Sequence, residues 1–115
     1  MHNILFVCSA NKDRSATAEH YFAEHYPSLN IESAGTNEKI CFQLGTNFIS
    51  QELIDWADYI FVMEQKHERF VRANFQLNQT TSLRILGIQD VYSFMDAALI
   101  HVLEIKLNSI LETLK

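Results

Sequence analysis

Four short apolar runs, separated by longer mixed stretches, set the rhythm of this chain. Ile4-Leu5-Phe6-Val7 has no polar interruption, as a strand buried on both faces requires. Leu29 to Ser33, Tyr59 to Met63 and Leu83 to Leu86 read as three further strands. The first of these is closed by Ala34-Gly35-Thr36 and the last is stopped by Gly87. Ser15 to Tyr26 is predicted to be a helix, with Pro27 just past its end. Ser50 is a candidate N-cap for a short helix, Gln51 to Trp56. Glu64 to Phe75 has helical composition. Asp96 can cap a last helix from Ala97 to about Leu114, with an apolar stripe of Leu99, Leu103, Leu107, Ile110 and Leu114. Asn37 to Asn47 follows neither period and stays unassigned.

Apolar strands alternating with helices predict an α/β fold: a four-stranded parallel sheet with helices on both faces. Residues 1–115 suit a single domain, since the chain is long enough for one core only. In open sheets of this kind ligands bind at the carboxyl ends of the strands. The loop after the first strand is therefore the first place to look for chemistry.

Composition narrows the class. The net charge of −5 argues against a general nucleic-acid binder, though a local pocket can oppose the global charge. Three Gly and one Pro argue against a turn-dense sandwich or a disordered tail. Two Cys cannot build a disulfide framework, which favours a reducing compartment. The start of the chain lacks a cationic segment, and no apolar run reaches the ~20 residues of a membrane span. A cytoplasmic protein without a membrane partner is expected.

The loop after the first strand is Cys8-Ser9-Ala10-Asn11-Lys12-Asp13-Arg14-Ser15. A short loop entering a helix can turn successive N–H groups inward and make an anion cradle. The helix N-terminus adds partial positive charge. Arg14 can grip two phosphoryl oxygens with its planar fork. Cys8 at the base of such a cradle is placed as a nucleophile, with Ser15 as a hydrogen-bond donor to its sulfur. A lone Cys at a strand end is otherwise most often a small core residue.

Cys8 to Arg14, followed by Ser15-Ala16-Thr17-Ala18-Glu19, resembles the signature of low-molecular-weight protein tyrosine phosphatases, here in a short, bacterial-type form. The likeness continues in Ser33-Ala34-Gly35-Thr36 and in Trp56-Ala57-Asp58-Tyr59-Ile60-Phe61-Val62-Met63. The resemblance implies a sheet in flavodoxin-like order and a cysteine-dependent phosphatase acting through a phosphocysteine. It implies no cofactor and no metal. The family usually has Gly where this chain has Ala10 and Pro where it has Ala16. Ala10 is compatible only if that position needs no positive φ. Asn11 matches the family's structural Asn. Asp13 stands where many members carry a second Cys, and a carboxylate facing a bound dianion would oppose it. Asp13 is therefore expected to point away from the cradle.

The resemblance also implies a general acid on the loop after the fourth strand, here Gly87 to Asp96. Asp90 is the favoured candidate, with Tyr92 as the aromatic flanking the substrate. Asp96 competes, although its position suits an N-cap. The predicted site is thus Cys8, Arg14 and Asp90, with Ser9, Ala10, Asn11, Lys12, Asp13, Ser15 and Tyr92 around the substrate. The expected partner is a phosphorylated protein or small phosphoester. A phosphate-binding module with little catalysis remains an alternative. So does a thiol-dependent arsenate reductase, for which only Cys41 is available as a second thiol.

Other residues read more plainly. His2, His20, His25, His67 and His101 lack metal-ligand spacing and are expected on surfaces or helix faces. Glu64 to Arg69 is expected to be a solvated helix face with internal ion pairs. Cys41 is read as a buried or loop thiol, Trp56 and Tyr59 as packing residues, and Phe42, Phe48 and Phe75 as core or rim. Only 19 residues separate Thr36 from Trp56, fewer than the resembled family normally has. The pocket is therefore expected to be open on that side.

Overall fold

Strand β1 (Asn3–Cys8) lies at the centre of the sheet, hydrogen-bonded in parallel to β2 (Asn30–Gly35) and to β3 (Tyr59–Val62). β4 (Ser82–Ile85) adds to the far side of β3, giving the order β2-β1-β3-β4. This computed structural model describes residues 2–115. All four predicted strands are present, each within a residue or two of its expected bounds. β4 is an edge strand with only intermediate or exposed residues, so it is not buried on both faces.

Alternation along the central strands builds two cores. Ile4, Phe6 and Cys8 of β1 join Phe61 and Met63 on one face, under α1 (Arg14–His25) and α5 (Ala97–Leu114). Phe6 sits between Phe22 and Phe61, with ring centroids 5.9 and 5.6 Å away. Leu5, Val7, Ile60 and Val62 face the other way, against α3 (Gln51–Trp56) and α4 (Gln65–Asn74). In α5 the buried stripe is Leu99, Leu103, Leu107 and Leu111. Leu111 thus replaces the predicted Ile110 and Leu114, which pack only partly. The stripe simply continues at four-residue spacing.

The unassigned stretch contains a seven-residue helix, α2 (Glu38–Leu44). Asn37 caps it, accepting from the Ile40 N–H, and Gly45 ends it at φ 71°. Ser50 caps α3 through the Leu53 N–H, as expected.

Gly35 at the end of β2 explains how three segments meet. A Cβ there would lie 2.5 Å from the Ser9 carbonyl oxygen, 2.7 Å from Cys41 Sγ and 3.0 Å from the Asn11 nitrogen. Its own N–H and C=O pair with Asn47 and Ile49. No side chain fits between the β1–α1 loop and α2. Gly35→Ala is therefore expected to cost about 1–3 kcal/mol by overpacking. Its melting temperature should fall together with phosphate affinity, measured by calorimetry with and without inorganic phosphate.

Candidate functional site

The carboxyl ends of β1, β3 and β4 converge on one buried cation. Arg14, the first residue of α1, is only 1% exposed. Its Nη1 donates to Glu64 Oε2 at 2.5 Å and to the Ile88 carbonyl at 2.7 Å. Its Nε lies 3.6 Å from Asp90 Oδ1. Glu64 follows β3, and Ile88 and Asp90 follow β4. The Arg14 hydrogen bond holds the Glu64 carboxyl below its ordinary pKa, against the upward pull of burial.

Cys8 ends β1 on the α1/α5 face of the sheet and is 3% exposed. Its Sγ is 3.0 Å from Ser15 Oγ. Asn11 organises the loop from within. Its φ of 54° is left-handed, a conformation that Asn tolerates well. Its Nδ2 donates to Ser15 Oγ and Ser33 Oγ, both at 2.9 Å. Its Oδ1 accepts from the Asn47 N–H at 3.0 Å. Ser33 in turn hydrogen-bonds Glu19. Ala10 is not among the positive-φ residues, so the absent Gly costs the loop nothing. The Ala10 carbonyl accepts from Thr46 Oγ1 at 2.6 Å.

The two candidate carboxylates have separate places. Asp96 Oδ1 accepts from the Ala98 N–H and caps α5. Asp90, with a side chain 62% exposed, stands beside Arg14. Tyr92 is half-buried against the α1/α5 core. Asp13 takes the N-cap position of α1 without a side-chain capping bond, and Lys12 is exposed. Cys41 is fully buried, with Sγ 3.8 and 3.7 Å from the carbonyls of Ser9 and Ala10.

Two expectations are overturned here. His67 is not on the surface but 1% exposed, and its Nε2 lies 2.9 Å from Ser9 Oγ. Glu64 is not part of a solvated face, because it is the N-cap residue of α4 and binds Arg14. Both stand directly after β3, at the same sheet edge as the Cys8 loop. That position was the available signal, and helical composition masked it. Burial, with the Arg14 charge adding to it, pushes the His67 pKa down to about 4.

Beside the loop lies an open trough of about 800 Å³, reached by Ser9 and flanked by Lys39 and Lys66. Phe48, Phe70 and Phe75 line it in edge-to-face contact. Thr36, Asn37, Glu38, Lys39 and Phe48, from the short Thr36–Trp56 stretch, form one side of it. Phe42 takes no part in this aromatic series and is 75% exposed. Among the described residues, no group of three or more His, Cys, Asp or Glu could hold a metal ion.

No family model matches the chain. A low molecular weight protein-tyrosine-phosphatase from Acinetobacter johnsonii is 28% identical over 101 residues, spanning 72% of this chain and 71% of the relative. Among solved structures, the low molecular weight protein tyrosine phosphatase of Streptococcus pyogenes superposes with a TM-score of 0.78 at 18% identity. That match covers 100% of this chain and 94% of the other. A thioredoxin-dependent arsenate reductase from Corynebacterium glutamicum superposes at 0.69 with 13% identity, covering 100% of this chain and 64% of the other. The structural matches carry the fold, and the sequence match makes the chain similar to low-molecular-weight protein tyrosine phosphatases.

Proposed function

We propose that this chain hydrolyses phosphotyrosine-like phosphomonoesters through a phosphocysteine intermediate. The observation that carries the reading is the convergence on Arg14. A buried guanidinium stands on the same loop as Cys8, with the Asp90 carboxylate 3.6 Å from its Nε. Cys8 Sγ attacks phosphorus, and the bond to the leaving oxygen breaks as Asp90 protonates it. Asp90 then takes a proton from the water that displaces Cys8. Arg14 and the N–H groups from Ser9 to Ser15 stabilise the equatorial oxygens, and Ser15 donates to the sulfur as it leaves. Ala10, Asn11, Lys12 and Asp13 supply the remainder of the cradle, and Tyr92 flanks the substrate.

The partner is a phosphorylated protein or a small phosphoester. The open trough supports weak discrimination among small aryl phosphates. Two free thiols suit a reducing, cytoplasmic setting. Among the described residues, no helix is long and apolar enough to cross a membrane. Arsenate reduction by disulfide relay has only Cys41 to draw on, and that thiol is fully buried. The phosphatase reading is therefore preferred.

Turnover of p-nitrophenyl phosphate is the direct test, and Cys8→Ser should reduce it by at least about 10³-fold. Phosphate binding without turnover between pH 5 and 7 would favour a binding module instead. Asp90→Asn is expected to lower kcat by about 10²-fold, most for alkyl leaving groups that need the proton. An unchanged leaving-group dependence removes Asp90 from the mechanism. Asp13→Asn should leave the inhibition constant of phosphate unchanged, and tighter phosphate binding would mean that Asp13 faces the cradle.

A further inference from the structure

We propose that His67 is a positioning residue for the Cys8 loop, fastening Ser9 and the backbone of Glu64 with one imidazole. The loop has two ends that matter to chemistry. At one, Ser9 follows Cys8; at the other, Arg14 opens α1. Glu64 grips the Arg14 end through its carboxylate. The Glu64 N–H donates to His67 Nδ1 at 3.0 Å, the N3-to-N-cap arm of a capping box. Because Nδ1 accepts, the ring proton sits on Nε2, which donates to Ser9 Oγ at 2.9 Å. One neutral ring at the start of α4 thus fixes the two ends of the loop relative to each other.

Other contacts of the loop do not repeat this. The Thr36 and Asn37 N–H groups and Thr46 hold it on the α2 side, and Asn11 and Ser15 brace it from within. On the α4 side, among the described residues, the hydrogen bonds are those of His67 and Glu64. Losing the ring leaves the part-buried Glu64 N–H and the Ser9 hydroxyl without their imidazole partner, which loosens a site that must hold amides at set positions.

Charge around the ring is consistent with its neutral form. Arg14 and Lys66 oppose protonation, Glu64 and Asp90 favour it, and burial outweighs both. A protonated Nδ1 would meet the Glu64 N–H donor to donor. The unfolded chain takes up this proton near the ordinary value of 6.5, the folded chain only near 4. The neutral ring's contribution to stability is therefore complete above pH 6.5 and is lost as pH falls toward 4.

The inference uses the phosphatase reading for its kinetics alone, so the test pairs turnover with a binding measurement. His67→Phe keeps a ring but neither hydrogen bond. His67→Gln can still accept from Glu64 and donate to Ser9. Ser9→Ala removes one arm without touching the helix. His67→Phe is expected to weaken phosphate protection of Cys8 against iodoacetamide by about five- to tenfold, with His67→Gln restoring most of it. Ser9→Ala should give part of the loss at unchanged melting temperature, and adding it to His67→Phe should weaken protection no further. In p-nitrophenyl phosphate kinetics the loss should fall on KM and kcat together. If His67→Phe does not fold, Ser9→Ala and His67→Gln decide the matter. Protection within twofold of wild type in Ser9→Ala, or a change in melting temperature alone in His67→Phe, overturns the proposal. Between pH 6.5 and 4 the wild-type melting temperature should fall more steeply than that of His67→Gln, and equal slopes also overturn it. Wild-type protein that binds phosphate without turnover, with binding still weakened in His67→Phe, would refute the phosphatase reading and leave this one standing.

Discussion

Burying a guanidinium costs several kcal/mol unless its donors are met, and Arg14 is 99% buried. Its three partners come from two other strand ends: the Glu64 carboxylate after β3, and the Ile88 carbonyl and the Asp90 carboxylate after β4. None of these is close to Arg14 in sequence. The charge is therefore satisfied only when β1, β3 and β4 lie side by side in register. The sheet order and the site are one constraint seen from two ends.

Arg14 also orders what surrounds it. Its charge helps to keep His67 neutral, and a neutral His67 can accept from Glu64 while donating to Ser9. Glu64 is kept ionised by the same guanidinium. On the opposite side the loop rests on packing. Gly35 lets the Ser9 carbonyl and Cys41 approach where any Cβ would collide. The loop is thus held electrostatically on the α4 side and sterically on the α2 side. Asn11 spans the interior between them.

Legibility in the sequence followed the range of the forces involved. β1 and β3 were readable because an uninterrupted apolar run has few other uses in a chain of this size. α3 was readable from Ser50, since a cap and its partner lie three residues apart. α2 was not, because Ile40, Phe42 and Leu44 are all exposed and leave no amphipathic face to detect. The strand–helix alternation carried the parallel sheet and pointed to the Cys8 loop, and the resemblance added the strand order and the acid on the loop after β4. It carried nothing about Glu64 or His67, whose partners lie 50 and 58 residues away.

The sequence by itself determined what neighbours in the chain can decide: strands from apolar runs, helices from caps and spacing, and a strand–loop–helix able to cradle an anion. Tertiary structure decided which polar groups share a buried space. It set Asp90 beside Arg14, while Asp96 took the cap position that its place before α5 already suggested. It turned an ordinary-looking Glu-x-x-His at a helix start into the anchor of the Cys8 loop. The physical reason is that hydrogen bonds and buried charges depend on distance in space, and only the assembled sheet brings these strand ends together.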